Sequence, residues 1–466
     1  MKQNVIRNLA IVSSLLMAGN LSAQNPIIQT MYTPDPAPYV YNDTVYLFVD
    51  HDEDDAQYFS MKDWLLYTSA DMVNWTYKGA QVSTATFSWA KQGDRAWAQQ
   101  AVHKNGKWYW YVCCNTAQGG DALAVAVADS PTGPWKDAIG GPLATGWGYI
   151  DPTIFIDDDG KAYLFWGNKG LWYGELNDDM ISFKDGYKEV PGYHDPKSFG
   201  ELQSKMNWQK GENEMMTQFE EAPWVTKRNG MYYMSYAAGG VPEYMGYSTA
   251  PTIHGPWTFR GRIMDEAKNS FTIHGGDIEF KGRNFMFYHN GLLPNGEGFR
   301  RSSSVEEFTF NEDGSFPFIP FTKEGVKEPI CNLNPYNRVE AETIAFSYGL
   351  KNDRLAGTHH YITSIHTGDW IKVRAVDFGQ EGAPKSFLAC VASEEDGGLI
   401  EVRLDALNGN VIATIKVPNT GAEDAWKEVE AQIRSRRPIK GVHDVYFLFR
   451  GGDKELYNFD YWMFRK

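Results

Sequence analysis

The sequence predicts an all-β protein: a five-bladed β-propeller followed by a β-sandwich of jelly-roll type. Two observations predict the propeller. A strand, tight turn and aromatic-rich strand recur five times in phase, about every 50 to 70 residues, and a second, shorter signature follows each copy. A change of texture near residue 336 predicts the second domain. With 466 residues, two domains fit the usual prior of about 100 to 200 residues each, because propellers exceed that range as single units.

Taken in order, the five hairpins are "DPAPYVYNDTVYLFVD" from Asp35, "QAVHKNGKWYWYVCC" from Gln100, "DPTIFIDDDGKAYLFWG" from Asp151, "EAPWVTKRNGMYYMSYAAGG" from Glu221 and "HGGDIEFKGRNFMFYHNG" from His274. Their turns are Asn42-Asp43, Asn105-Gly106, Asp159-Gly160, Asn229-Gly230 and Lys281-Gly282. Such pairs tolerate the left-handed backbone that two-residue hairpins demand. The trailing signatures are "YTSADMVNW", "VADSPTGPW", "YGELNDDMISF", "YSTAPTIHGPW" and a weaker "RSSSVEEFTF". Five units of four strands each are therefore expected, arranged radially.

In that arrangement the first strand of each blade lines the axis, so the residues heading the hairpins share one funnel. Four of the five heads titrate: Asp35, Asp151, Glu221 and His274. Carboxylates crowded there repel one another and lose solvent, which raises some of their pKa values and suits one to act as an acid. Proline follows Asp35 and Asp151 directly and Glu221 at two residues, stiffening the backbone that aims them. Two carboxyl groups flanking a bond, one protonated and one ionised, are the minimal equipment for glycoside hydrolysis.

Composition agrees with a sugar substrate. Aromatic residues make up 15% of the chain, more than core filling needs, and their faces stack on sugars. The net charge of −15 without a basic run argues against nucleic acid or an anionic membrane as partner. Residues 1–23 combine Lys2, Arg7, a short apolar run from Leu9 to Ala18 and small residues up to Ala23. They read as a secretory signal peptide, too short to span a bilayer, with no cysteine after it for lipid attachment. A secreted or periplasmic monomer is expected. Cys113, Cys114, Cys331 and Cys390 match neither a disulfide framework nor a zinc site, and read as buried structural thiols.

The heads Asp-Pro, Asp-Pro and Glu-Ala-Pro on five blades resemble glycoside hydrolase family 43, over about residues 27 to 330. The resemblance implies that Asp35 is the general base, Glu221 the general acid and Asp151 a third carboxylate that positions the acid and tunes it, with inversion at the anomeric carbon. Glu220, beside Glu221, should point to the opposite face of the strand, and the family's acid directly precedes Ala-Pro or Gly-Pro. His274 matches an axial His that lies near a metal ion or ordered waters, with a core histidine as the alternative. Arg301 resembles the arginine that bonds sugar hydroxyls. The run "DHDED" from Asp50 to Asp54 reads as a solvated loop from which His51 and Asp52 reach the substrate rim, and Trp97 is a further substrate contact.

From residue 336 the segments "RVEAETIAFSYG", "HTGDWIKVRAVDFG", "IEVRLDALNGNVIATIKVP", "GVHDVYFLFRG" and "NFDYWMFRK" alternate strand and polar turn. The expected division is 24–335 for the propeller and 336–466 for the sandwich. The latter resembles carbohydrate-binding module family 6, which implies structural calcium on Glu340, Glu342 and Asp460, oxygen donors of the kind calcium prefers. The family's aromatic sugar clamp is replaced here by Ser364 and Glu423, leaving Asn458 as a possible sugar contact. Whether this domain binds sugar or is structural stays open.

The leading reading is an exported inverting exo-glycosidase on plant cell-wall polysaccharide, an α-L-arabinofuranosidase on arabinoxylan or arabinan side chains. A β-xylosidase is the enzymatic alternative, and a non-catalytic glycan-binding propeller the alternative of another class.

Overall fold

The structure is a computed structural model that describes residues 24–202, 217–381 and 383–466. The signal-peptide segment, residues 1–23, lies outside the described residues. No helix among the described residues is long and apolar enough to cross a membrane.

Five antiparallel sheets form the blades, and their innermost strands are Ala37–Tyr41, Trp97–Lys104, Thr153–Ile156, Phe219–Arg228 and Asp277–Phe280. Each contacts the next, and the last contacts the first, so the ring is closed. Five apolar clusters lie between successive blades. Phe48, Trp64 and Trp110 join the first to the second, and Val45, Leu47, Phe285 and Phe287 join the fifth back to the first. This packing takes up more of the aromatic residues than the composition suggested, because each blade has two buried faces and needs bulky side chains on both. Cys113 and Cys114, adjacent in Lys107–Asn115, sit in the clusters on opposite faces of the second blade. Cys390 is also buried, but Cys331 is exposed, because it lies in the connection to the second domain.

The turns follow the chemistry read from sequence, with one difference. Asn42 and Asp43 both have positive φ (46° and 60°), as do Asn105-Gly106, Asn229-Gly230 and Lys281-Gly282. In the third blade the strands separate at Ile156 and Ala162, so Asp159-Gly160 sits within a longer loop closed by the Asp157 amide on the Lys161 carbonyl.

The expectation of four strands per blade fails in the fifth, which has three among the described residues. The fourth place is taken by the start of the described chain. The Ile27 amide donates to the Ser303 carbonyl at 2.8 Å, and the Asn25 side chain both donates to the Val305 carbonyl and accepts its amide, each at 3.0 Å. These bonds satisfy an edge that would otherwise be open.

The C-terminal sandwich packs the sheet holding Ser386–Ala392 and Asn458–Arg465 against the sheet holding Trp370–Asp377 and Val442–Arg450. Its core contains Phe387, Phe447, Phe459 and Trp462. Thr343–Ile344 leaves the sandwich and pairs with Trp75 and Thr76 on the outer edge of the first blade.

Candidate active site

The funnel gathers the four titratable heads. Asp35 and Asp151 stand just before their innermost strands, with φ of 52° and 58°. In the fourth blade the equivalent left-handed residue is Ala222, φ 58°, which places Glu221 one position earlier. All three left-handed residues precede a proline: Pro36, Pro152 and Pro223. A non-glycine residue held in this region costs on the order of 1–3 kcal/mol, so the same costly conformation in three blades points to aimed side chains rather than to loop accident. Register shifts on either side of Glu221 mark a bulge that turns its carboxylate into the funnel.

Asp35 is the best-partnered carboxylate. His289 Nδ1 lies 3.0 Å from its Oδ1, Arg301 Nη1 3.5 Å and His274 Nδ1 3.7 Å. Burial alone would raise its pKa, but Arg301, His289 and His274 together hold it well below the usual carboxylate range. Asp151 behaves oppositely: burial, then the negative charges of Glu221 and Asp35, push it well above that range. Its Oδ2 accepts the Ala222 amide at 3.1 Å, which ties the third carboxylate to the residue after Glu221.

Burial also raises Glu221, and Asn168 Nδ2, donating to its Oε2 at 2.6 Å, partly offsets that rise. One carboxylate is thus kept ionised while a second is biased toward the protonated form, the pairing that acid–base hydrolysis needs.

Glu220 tests the strand argument. Its pKa is pushed up to about 7, mainly by burial and then by Glu221, a value that would itself suit an acid. Its surroundings are different, however. It is 2% exposed and faces Lys169 at 3.8 Å and the neighbourhood of Tyr193, whereas Glu221 shares its electrostatic surroundings with Asp35 and Arg301.

The run from Asp50 to Glu53 is not a solvated loop, and His51 and Asp52 are not at the rim. All four residues are buried, with Asp52 at 0% exposure. Asp52 grips Arg301 through Nε and Nη2, both at 3.0 Å, and also accepts the Arg301 amide at 2.8 Å. His51 Nδ1 is held 2.8 Å from Asp63 Oδ1. These side chains aim Arg301 instead of reaching for substrate. Burial works against the Arg301 cation, but Asp52 and Asp35 keep its pKa raised. Its guanidinium lies 5.0 Å from the Phe59 ring, which neighbours Trp97, Phe271 and Phe299. Trp97 is partly buried, and its indole N–H donates to the Phe59 carbonyl at 2.9 Å, so it forms part of this wall. Tyr58, 51% exposed, extends the aromatic wall outward, and Trp147 is 62% exposed just ahead of Asp151 in sequence.

His274 lies 4.0 Å from Asp151 as well as beside Asp35, and burial lowers its pKa to about 4. It stands between two carboxyl groups, and burial favours its neutral form.

Three site residues went unread in the sequence. His289, at the end of Arg283–Asn290, contacts Asp35, and its Nε2 lies 3.0 Å from the Thr272 carbonyl. Asn168 follows the third blade's second strand. Glu243 is buried, accepts the Ile273 amide at 2.8 Å, and is pushed well upward by burial and by Glu221 and Glu220. His289 ends a hairpin quoted above, and that position was the one available signal.

In the sandwich, Glu340 pairs across from Tyr461, and the Ala341 amide donates to the Asp460 carbonyl. Glu342 is buried with its Oε2 lacking a hydrogen-bond partner, and burial, Glu340 and Asp460 all raise its pKa. The donor chemistry fits a hard cation. Arg338, however, bridges Glu340 at 2.7 Å and Asp460 at 3.2 Å, and among the described residues no three His, Cys, Asp or Glu side chains converge as a metal cage. Asn458 is buried, and its amide donates to the Glu423 carbonyl at 2.9 Å, so that N–H group holds a loop rather than facing a sugar. At the aligned clamp position the Ser364 amide donates to Glu455.

The family model for glycosyl hydrolases family 43 matches residues 23–316. The chain belongs to that family. A second model, carbohydrate binding module family 6, matches residues 340–466. Similar family 43 relatives include an arabinoxylan arabinofuranohydrolase of Bacillus subtilis (strain 168), 33% identical over 97% of this chain and 94% of its own. Another of that description, from Paenibacillus polymyxa, is 32% identical over 94% of this chain and 74% of its own. A crystal structure of a family 43 arabinoxylan arabinofuranohydrolase from Bacillus subtilis, in complex with cellotetraose, superposes with a TM-score of 0.79 at 30% identity, covering 96% of this chain and 99% of that one. The family 43 protein is therefore a glycoside hydrolase, and the non-catalytic alternative is set aside.

Proposed function

We propose that this hydrolase is an exported, inverting α-L-arabinofuranosidase that removes arabinose side chains from arabinoxylan. The convergence of Asp35, Asp151 and Glu221 on one funnel, with opposite shifts on Asp35 and Glu221, carries the reading. Similarity along nearly the whole chain to arabinoxylan arabinofuranohydrolases favours the substrate. The Asp35 carboxylate takes a proton from water as the water oxygen attacks the anomeric carbon. The glycosidic bond breaks, and the departing oxygen takes the Glu221 proton. Asp151 fixes the backbone beside Glu221, burial and the Asp35 charge keep the Glu221 pKa high, and Arg301 bonds sugar hydroxyls. Trp147 and Tyr58 offer faces on which a xylan main chain stacks. Residues 1–23 direct export.

Nitrophenyl α-L-arabinofuranoside and nitrophenyl β-D-xyloside discriminate between the two enzymatic readings. Turnover should favour the arabinofuranoside, and a preference for the xyloside would make the protein a β-xylosidase.

Asn168→Ala should move the basic limb of the kcat profile to higher pH. The lost hydrogen bond stabilised the Glu221 carboxylate, so without it the proton is held more tightly. A limb that moved down or stayed fixed would remove Asn168 from the tuning of the acid.

In the sandwich, calcium on Glu340, Glu342 and Asp460 would have to displace Arg338, which bridges Glu340 and Asp460. A ligand bound to the folded state alone raises stability by mass action, so a chelator should lower the melting temperature, with calcium restoring it. A melting temperature indifferent to both would discard the site. A second ion near His274 would show separately, as a chelator-sensitive kcat.

A further inference from the structure

Three consecutive residues of the first blade, His51, Asp52 and Glu53, each hold a different partner. His51 is fixed by Asp63, Asp52 grips Arg301 in the funnel, and Glu53 turns the other way, toward the C-terminal domain. There Arg354 meets it in a fork: Nη1 lies 3.2 Å from Glu53 Oε2 and Nη2 3.0 Å from Oε1. The same Nη2 reaches Asp63 Oδ2 at 3.2 Å, the carboxylate whose other oxygen holds His51. One guanidinium of the second domain therefore clamps both ends of the segment that aims Arg301. Bidentate Arg–carboxylate pairs fix geometry as well as charge.

The segment carrying Arg354 is itself ordered. Asp353 accepts the amides of Leu355 at 2.8 Å and Tyr361 at 2.8 Å and lies 3.1 Å from His360 Nδ1. The Ala80 amide of the first blade donates to the Leu355 carbonyl at 3.0 Å. Asn352 Nδ2 donates to Thr30 Oγ1 at 3.0 Å, and Lys351 pairs with Asp54. Arg354 is itself exposed, and a lone surface arginine would contribute little, but its backbone belongs to this fixed strut.

We infer that Arg354 is a positioning residue for hydrolysis, through which the C-terminal domain sets the Asp52–Arg301 pair and so completes the active site of the propeller. On this view the sandwich is a structural part of the catalytic unit whether or not it binds sugar. The inference rests on the assignment of Arg301 and Asp35 to the reaction.

Its test uses the full chain and whichever nitrophenyl glycoside the parent cleaves fastest, so a wrong sugar assignment leaves it intact. Arg354→Met should lower kcat/KM about tenfold. Because a misplaced Arg301 restrains Asp35 less, the acid limb of the pH profile should move to higher pH. Arg354→Lys, which supplies charge without the fork, should recover part of the loss. Glu53→Gln should resemble Arg354→Met, and the double variant should be no worse than either, since both cut one chain of contacts.

The control is Arg374→Ala. Arg374 also ties the domains, donating to the carbonyls of Val326 at 3.0 Å and Lys327 at 2.6 Å, but touches nothing in the chain to Arg301. It should lower the melting temperature and spare kcat/KM. Arg354→Met activity within twofold of the parent with an unmoved acid limb would overturn the inference. So would an equal loss in Arg374→Ala, which would mean that domain docking in general matters and the fork does not.

Discussion

Glu221→Gln is expected to slow release of arabinose from arabinoxylan by about 10²–10⁴-fold while sparing a dinitrophenyl arabinofuranoside, whose leaving group needs little protonation. The amide keeps the shape and can still meet Asn168, but it carries no transferable proton. Glu220→Gln supplies the comparison. Judged by pKa alone, Glu220 at about 7 is the more tempting acid. Judged by position, it is packed against Lys169 with its Oε2 lacking a hydrogen-bond partner, and neither Asp35 nor Arg301 is among the charges that shift it. Position decides, because an acid must reach the departing oxygen before its pKa matters. Glu220→Gln should therefore stay within a few-fold of the parent on both substrates. The reverse ranking of the two variants would assign the acid to Glu220.

Asp35→Asn should lower turnover by at least about a hundredfold on every glycoside, including activated ones, because removing the base impairs attack by water and not departure of the leaving group. That difference in leaving-group dependence separates the roles of Asp35 and Glu221 more firmly than the size of either loss. The substitution is also informative about pH. On the proposed assignment, activity in the parent requires an ionised Asp35 and a protonated Glu221. Asp35 lies well below the ordinary range and Glu221 above it, so the profile should be a bell with a broad top. The two limbs belong to the coupled set that includes Asp151 rather than to isolated residues. In Asp35→Asn the acid limb should disappear from whatever activity remains. Turnover near that of the parent would remove Asp35 from the reaction.

The propeller was legible because its information is local. Turn pairs such as Asn105-Gly106 specify a hairpin by themselves, and the Asp-Pro heads repeat in phase with them. The funnel carboxylates were legible for the same reason: phase within a repeat places them on the axis. What could not be read depended on partners distant in the chain. Asp52 looked like a loop acid because Arg301 lies 249 residues away, and nothing near it in sequence announces the cation that buries it. Glu53 has its partner in the other domain. Glu243 stands in a connecting loop with no repeat behind it, and only the fold brings it under the influence of Glu221. The three-stranded fifth blade follows the same logic, since its missing edge is supplied from the opposite end of the chain by Asn25 and Ile27.

The proposed chemistry joins a sugar identity to a geometry, and a proton NMR time course on arabinoxylan reads both at once. Inverting removal of α-L-arabinofuranosyl side chains predicts that β-L-arabinofuranose signals appear first, that the α anomer follows by mutarotation, and that the anomeric signals of arabinosylated xylose fall while the xylan main chain stays intact. Free xylose as the first product, or the α anomer of arabinofuranose appearing before the β, would contradict the assignment of Asp35 and Glu221 as the base and acid of an inverting arabinofuranosidase.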